Sequence, residues 1–136
     1  MNAVMDYKPK NSNTQTLKIN RKEIWMVELR GGSIGSEQSG LRPFLITQNF
    51  MGNLHAPTTI GFPISTAVTK AKLPTHVQLF SHNTGLQSDS VCLTEQIRTV
   101  DKGRLMYKVG EVDENTMYQI DRANMISQGL EYLLAR

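Results

Sequence analysis

Short runs of β-branched and aromatic residues fill the middle of this sequence, and clusters of glycine, proline, asparagine and serine separate them. The intervals between the runs are too short for the crossover helices that parallel strands require. The pattern therefore predicts six antiparallel strands in a small, strongly bent barrel or sandwich. The six runs are EIWMVEL (23–29), PFLITQN (43–49), TTIGFPIST (58–66), THVQLF (75–80), SVCLTEQIRTV (90–100) and MYKVGEV (106–112). Because proline cannot donate to a sheet ladder, we expect Pro63 at an edge position or a bulge.

The hydrophobic period changes near Asp113, which is a suitable helix N-cap. Beyond it, residues recur at three- and four-residue steps, which predicts one face of a helix packed on the barrel: Thr116, Ile120, Ala123, Ser127, Leu130 and Leu134. Gly129 weakens this helix by about 1 kcal/mol relative to alanine, so we expect bending or fraying beyond it. The predicted fold class is mainly β with a C-terminal helix (α+β).

A chain of 136 residues with 39% hydrophobic content suits a single domain with one compact core. Residues 1–20 are polar, lack apolar periodicity and contain Pro9, so they predict a flexible tail outside the fold. We therefore place the folded domain at residues 21–136.

Composition argues against several classes of protein. The lone cysteine, Cys92, lies in an apolar run and favours a buried structural thiol in a reducing, cytoplasmic protein. The sequence contains neither a cysteine and histidine cluster for a metal nor the roughly 18 apolar residues of a membrane span. We expect no cofactor and no membrane association. The net charge of +3 permits a polyanionic partner without requiring one.

The stretch GSEQSGLRP (35–43) belongs to a long loop between the first two predicted strands. It is either a solvated hairpin connection or a functional loop. Arg42 and Pro43 end the loop where an apolar strand begins, so the guanidinium would be carried on rigid backbone. An arginine held in this way suits a phosphate, which it can grip with two parallel hydrogen bonds.

Several segments in unbroken order together resemble the MazF/PemK family of toxin endoribonucleases, the toxin halves of bacterial type II toxin–antitoxin systems. They are GSEQSGLRP, QN (48–49), PTTI (57–60), KAKLPTHV (70–77), DSVCLTEQIRTVDKGRL (89–105) and the final helix. The resemblance implies a small SH3-like barrel of the CcdB/MazF/PemK type that forms a homodimer. It also implies sequence-specific, metal-independent cleavage of single-stranded messenger RNA, and neutralisation by a small acidic antitoxin.

By this resemblance Arg42 and Ser65 form the catalytic pair. The family commonly has threonine where this sequence has Ser65, and Thr66 follows at once. A second departure lies at Arg21-Lys22-Glu23, where the family usually has arginine, glycine and an acid. This departure leaves the predicted fold intact and bears on the local turn alone.

Further residues are candidates for binding RNA. Lys70, Lys72 and His76 flank Leu73-Pro74 on a predicted loop, a basic and apolar mixture that suits unstacked bases and phosphates or, equally, a solvated lysine loop. Gln96 and Arg98 would share one face of the longest strand, either against RNA or in a surface ion-pair ladder. The full set of predicted RNA-binding residues is Gly35, Ser36, Glu37, Gln38, Thr66, Lys70, Lys72, Leu73, Pro74, His76, Gln96 and Arg98.

RNA carries its own nucleophile, so a protein need only orient the 2′-hydroxyl, assist proton transfer and stabilise charge on the phosphate. The expected products are a 2′,3′-cyclic phosphate and a 5′-hydroxyl, and the general base remains unassigned. Two alternatives stay open. One is a CcdB-like toxin that poisons DNA gyrase on the same barrel, and the other is a toxin homologue with weakened catalysis.

Overall fold

The computed structural model describes residues 17–30, 34–35, 37, 39–67 and 70–135. Seven β-strands and two α-helices follow one another along the chain, with single turns of 3-10 helix between some of them. They are β1 (Glu23–Glu28), β2 (Leu41–Ile46), α1 (Phe50–His55), β3 (Thr58–Ser65), β4 (His76–Leu79), β5 (Ser90–Leu93), β6 (Arg98–Asp101), β7 (Leu105–Glu111) and α2 (Glu114–Ser127). Within these ranges, none of the helices has both the length and the apolar character needed to cross a membrane.

The strands form one antiparallel sheet in the order β4-β5-β3-β2-β1-β7, and β6 pairs with β3. The prediction of a mainly β, antiparallel fold with a C-terminal helix is confirmed. The number of strands was wrong, because residues 90–100 do not form one strand. A 3-10 turn at Thr94–Gln96 divides them into β5 and β6, and these two strands pair with different parts of β3.

Pro63 lies in β3, which is a central strand, so the prediction of an edge position was wrong. The pairing of β3 with β6 ends at Gly61, and its pairing with β5 begins at Ile64. Pro63 therefore falls between two partner strands along one side of β3, where no ladder donor is needed. Its pairing with Phe44 of β2 on the other side is retained.

Side chains alternate across the sheet and build two separate cores, one on each face. The first core lies between the sheet and α2, and contains Ile24, Leu45, Phe62, Ile64, Val77, Leu79, Leu86, Cys92, Val112, Met117, Ile120 and Ala123. The second lies on the opposite face and contains Ile19, Trp25, Val27, Leu29, Phe44, Ile46, Val100 and Leu105. Cys92 is fully buried as predicted, and burial raises the pKa of its thiol, which therefore stays protonated.

The second core extends into the predicted tail. Ile19 is 4% exposed, and Leu17 packs against the same cluster. The backbone N–H of Asn20 also donates to Glu23 at 2.9 Å. Residues 17–20 thus pack with the domain, and the boundary at residue 20 has to move towards the N-terminus. The remainder of the predicted tail, residues 1–16, lies outside the described residues.

Helix α2 begins as the sequence predicted, because Asp113 caps it and accepts the backbone N–H of Thr116 at 2.8 Å. The helix ends at Ser127, so the predicted continuation to Leu134 was wrong. Gly129 has a φ of +76°, in the left-handed region that ends helices. Residues Glu131–Ala135 form a separate 3-10 turn.

Lys22 stands where the resemblance leads us to expect glycine, and its φ of 84° lies in the left-handed region that glycine favours. Two backbone hydrogen bonds hold this conformation. Lys22 donates to the Ile46 carbonyl at 2.9 Å and accepts from Val112 at 3.0 Å. Its ammonium group pairs with Glu114 at the start of α2. The turn is therefore formed with lysine in place of glycine, at a cost in backbone strain.

Glu23 is a buried carboxylate at the start of β1, 8% exposed. It accepts hydrogen bonds from Trp25 Nε1 and from Asn20 N, both at 2.9 Å, and pairs with Lys108 at 3.3 Å. Burial on its own would raise the pKa of Glu23, but these contacts outweigh it and lower the pKa below the ordinary value of 4.5. The ionised carboxylate thus ties β1 to the N-terminal segment and to β7.

We expect Glu23 to stabilise the fold above about pH 4.5, and its contribution to be lost as the pH falls through its lower folded-state pKa. Glu23→Gln should cost about 1 to 2 kcal/mol of unfolding free energy at pH 7. The variant should also lose less stability than the parent between pH 5 and about pH 3. Urea unfolding across this pH range measures both effects. Equal pH dependence in the two proteins would contradict the assignment.

Candidate functional site

The register between β2 and β3 brings Arg42 and Ser65 to the same place. Successive pairs run Ile46 with Gly61, Leu45 with Phe62, and Phe44 with Pro63. Continuing this register by two residues places Ser65 opposite Arg42, with both side chains on the same face of the sheet. The two residues of the predicted catalytic pair thus end neighbouring strands as cross-strand neighbours.

Arg42 lies within β2 and pairs with Val27 of β1, so rigid backbone carries it as the sequence predicted. Its side chain is half-buried, and Nε donates to the carbonyl of Ser39 at 2.9 Å. Among the described residues this is the one polar contact of its guanidinium group. A guanidinium group of this kind can bind a planar anion such as a phosphate through its two Nη groups.

Ser65 is the last residue of β3, is paired with Val91 of β5, and is 1% exposed. Thr66 follows just outside the strand and is exposed. A substrate phosphate can touch the Ser65 hydroxyl only if the surrounding segments move. The hydroxyl group of Ser65, the predicted catalytic residue, is therefore buried in this structure, whereas Thr66 is exposed to solvent.

The loop between β1 and β2 is fastened at its base. Leu29 donates its backbone N–H to the Gly40 carbonyl at 2.8 Å, and Gly40 adopts a φ of +81° that favours glycine. Arg104 Nη1 donates to the carbonyls of Glu28 at 2.9 Å and Arg30 at 3.2 Å. These contacts hold the stem of the loop that leads into Arg42.

The tip of this loop contains four predicted RNA-binding residues. Gly35 has a φ of +60°, and the Glu37 carboxylate accepts the backbone N–H of Ile34. Gly35 and Glu37 are exposed. Ser36 and Gln38 lie outside the described residues.

The segment between β3 and β4 presents most of the second predicted RNA-binding group. Lys70, Lys72, Leu73 and Pro74 are all exposed, and Leu73 is 51% exposed. The prediction that His76 lies on the same loop was wrong, because it is the first residue of β4.

The His76 side chain is only 10% exposed. Its Nε2 lies 3.0 Å from Glu95, and its Nδ1 accepts the backbone N–H of Lys72 at 3.4 Å. Both ring nitrogens are therefore engaged within the protein.

Gln96 and Arg98 do not share a face of one strand, so that prediction was wrong. Gln96 ends the 3-10 turn, whereas Arg98 begins β6 and pairs with Gly61. Gly61 precedes Ser65 by four residues along β3, which corresponds to about 13 Å in a strand. The backbone of Arg98 thus lies well along the sheet from Ser65, opposite a different part of β3.

Sequence reasoning missed two residues that organise the site. Arg104 fastens the stem of the β1–β2 loop, and Gln78 contacts the β3–β4 loop through the backbone N–H of Ala71 at 3.3 Å. Both bind backbone groups outside their own element of secondary structure. The hydrophobic pattern of a sequence does not predict such contacts. Across the described ranges, no three histidine, cysteine, aspartate or glutamate side chains are grouped so that they could hold a metal ion.

Comparison with known proteins identifies the class to which this fold and site belong. The sequence model of the family described as PemK-like, MazF-like toxin of type II toxin–antitoxin system matches residues 20–127. The chain therefore belongs to this family of toxins.

Three relatives illustrate the relationship. Endoribonuclease EndoA of Bacillus subtilis (strain 168) is 43% identical over 82% of this chain and 96% of its own length. Endoribonuclease MazF of Staphylococcus epidermidis is 44% identical over 82% of this chain and 92% of its own. A solved structure titled as an endoribonuclease in complex with its cognate antitoxin, from a mycobacterial species, superposes with a TM-score of 0.66 at 25% identity. It covers 83% of this chain and 97% of the other.

Proposed function

We propose that this chain is a sequence-specific endoribonuclease toxin that cuts single-stranded messenger RNA without a metal ion and so inhibits translation and growth. Two similar proteins carry the name endoribonuclease, at 43% and 44% identity over most of the chain. The observation that supports the proposal at this site is the β2–β3 register, which pairs Phe44 with Pro63 and, if extended by two residues, brings Arg42 opposite Ser65.

The proposed chemistry uses the substrate's own nucleophile. The 2′-hydroxyl attacks the adjacent phosphate and its proton passes to water, while the bond to the 5′-oxygen of the next nucleotide breaks and that oxygen gains a proton. The products are a 2′,3′-cyclic phosphate and a 5′-hydroxyl, and a donor that has given up its proton regains one from water. Arg42 stays protonated near pH 7, so it is suited to clamp the phosphate and to donate a proton to the leaving oxygen, and poorly suited to act as a base. Ser65 would donate one hydrogen bond to the phosphate once the site has opened.

Cationic residues around this pair would hold the rest of the RNA. Lys70 and Lys72 lie on the loop that follows Ser65, and Arg98 lies about 13 Å along β3. Exposed Leu73 and Pro74 offer apolar surface for unstacked bases. The tip of the β1–β2 loop, residues 35–38, would contact bases beside the cut and contribute to sequence preference.

We further propose that the toxin acts as a homodimer and is neutralised by a small acidic antitoxin. One solved relative is titled as a complex with its cognate antitoxin, and this chain carries a net charge of +3. An acidic segment that folds along the basic site would exclude RNA from it.

The burial of Ser65 keeps one alternative in view, a toxin homologue with weakened catalysis. A buried hydroxyl that never meets the phosphate would leave Arg42 to act alone. The cleavage experiments described below distinguish the proposed nuclease from this alternative and from a gyrase-binding toxin.

The direct test is incubation of the purified protein with a long RNA in excess EDTA. We expect discrete fragments whose 3′ ends carry a cyclic phosphate by mass spectrometry. An RNA with 2′-deoxyribose at the cleaved nucleotide should remain intact, because its nucleophile is absent. Intact RNA in all reactions, or cleavage of the 2′-deoxy substrate, would contradict the proposal.

Substitutions of Arg42 and Ser65 should distinguish the charged phosphate clamp from the neutral hydrogen-bond donor. Arg42→Ala should lower single-turnover cleavage by about 10² to 10³, since a charge-assisted contact to the transition state is lost. Arg42→Lys should stay poor, because an ammonium lacks the planar two-pronged grip. Ser65→Ala should lose about tenfold, the effect of one neutral hydrogen bond. Ser65→Thr should retain activity, since the hydroxyl is kept.

Two control variants accompany that series. Arg21→Ala removes an arginine that pairs with Asp121 and contacts Thr47 beyond the other end of β2, so it should cleave at the parent rate. Thr66→Ala should leave the single-turnover rate at saturating RNA close to that of the parent, since Thr66 is a candidate for RNA binding and not for catalysis. A crippled Thr66→Ala beside an active Ser65→Ala would move the catalytic hydroxyl to Thr66, and full activity in Arg42→Ala would place the site elsewhere.

Assembly and inhibition can be measured together. Light scattering at micromolar concentration should give the mass of a dimer, and excess cognate antitoxin should abolish RNA cleavage. A monomer at these concentrations would contradict the dimer. Undiminished cleavage in the presence of the antitoxin would contradict its proposed role.

A further inference from the structure

Two side chains of β4 reach the loop that carries the exposed lysines. Gln78 accepts the backbone N–H of Ala71 at 3.3 Å, and His76 accepts that of Lys72 at 3.4 Å. The two captured amides are consecutive in the chain, and Lys70 and Lys72 lie on either side of Ala71. We call this pair of contacts the β4 clasp, formed by Gln78 and His76.

Further hydrogen bonds hold the side chains of Gln78 and His76 in place. Gln78 donates from Nε2 to the Ser90 carbonyl of β5 at 3.1 Å. His76 contacts Glu95 through Nε2 at 3.0 Å, and Thr75 Oγ donates to the other oxygen of that carboxylate at 3.1 Å. With Nδ1 accepting from the backbone of Lys72 and Nε2 against Glu95, both ring nitrogens of His76 have a partner. These contacts hold Gln78 Oε1 and His76 Nδ1 in the orientation in which they accept from the loop.

The clasp lies on the same face of the sheet as the candidate pair. Val77 and Leu79 point into the first core, so the alternating residues His76 and Gln78 face the other way. Gln78 pairs with Val91, and Val91 pairs with Ser65. One row across the sheet therefore runs from Gln78 through β5 to Ser65 and on to Arg42.

We propose that Gln78 and His76 are positioning residues of the RNA site, which hold the backbone of Ala71 and Lys72 and so fix where Lys70 and Lys72 meet RNA phosphates. This inference rests on the proposed endoribonuclease function. It assigns His76 a different role from direct RNA contact, since both of its ring nitrogens are used within the protein. Gln78 and His76 line a surface cavity with Gln119 and Arg122 of α2, and their polar contacts go to the loop rather than into either core, so we expect their loss to change RNA binding more than folding.

The test is a double-mutant cycle in RNA cleavage. Gln78→Leu removes one half of the clasp with little change in volume, and His76→Gln alters the other half with a polar side chain. Each should raise KM for RNA by about three- to tenfold while kcat stays within about twofold, because a ground-state contact is lost. Lys72→Ala should raise KM by a similar factor in the parent protein. In the Gln78→Leu/His76→Gln background, the same lysine change should raise KM by less than about twofold.

Arg98→Ala is the matched control, because Arg98 lies on β6 and takes no part in the clasp. It should raise KM by the same factor in both backgrounds. If the parent cleaves RNA but the effects of the clasp variants and of Lys72→Ala on KM are additive, this inference is overturned. The proposed endoribonuclease function would then still stand. A lower melting temperature with unchanged KM would also overturn the inference, since the clasp would then be merely structural.

Amide exchange separates this inference from the function on which it rests. By NMR, the amides of Ala71 and Lys72 should exchange about fivefold faster in the clasp variants than in the parent, as expected for a lost hydrogen bond of about 1 kcal/mol. Unchanged exchange would show that the clasp does not hold the loop. If the parent cuts no RNA, the proposed function fails and the RNA-positioning role fails with it, while faster exchange would still show the clasp as a structural contact.

Discussion

The antiparallel register between β2 and β3 is the constraint on which the site depends. Phe44 and Phe62 are both fully buried, and they face opposite cores from neighbouring strands. A slip of one residue would exchange these faces and expose both cores, so the register is strongly specified. The same register places Arg42 opposite Ser65. Packing in the two cores thus determines the geometry of a polar site at the end of the strands.

The site combines this rigid base with two exposed loops. Arg42 is carried by a strand between two partners, whereas Lys70 and Lys72 lie on a connection outside the sheet. Rigid placement suits a group that must meet charge developing at one phosphate, because no reorganisation is then required. Loops suit the contacts that read bases on either side. The β4 clasp would give the lysine loop part of the order that the strand gives Arg42.

The strands and the cap of α2 could be predicted because their causes are local. Runs of β-branched and aromatic residues predicted β1 and β3, and Asp113 predicted the start of α2. The failures have non-local causes. Pro63 is tolerated in a central strand because two different partners meet beside it, and Ile19 is buried by the second core.

The candidate site shows the same difference between features with local causes and features with non-local causes. Arg42 and Ser65 were predicted from the motifs of the family, and the β2–β3 register, which pairs Phe44 with Pro63, is consistent with their lying on neighbouring strands. The direction of the His76 side chain, the separation of Gln96 from Arg98 by a 3-10 turn, and the contacts of Gln78 depend on tertiary structure. Short α1 was missed as well, because its six residues lie between two predicted strands and are too few to show a helical period. Hydrophobic periodicity carries no information about such contacts.

The most direct test of this account is a crystal structure of the protein bound to an RNA that carries 2′-deoxyribose at the cleaved nucleotide. The account predicts that the scissile phosphate accepts two hydrogen bonds from the Nη groups of Arg42 and one from the opened Ser65 hydroxyl, each at about 2.7 to 3.2 Å. A scissile phosphate bound away from Arg42, with the guanidinium still contacting only Ser39, would contradict it.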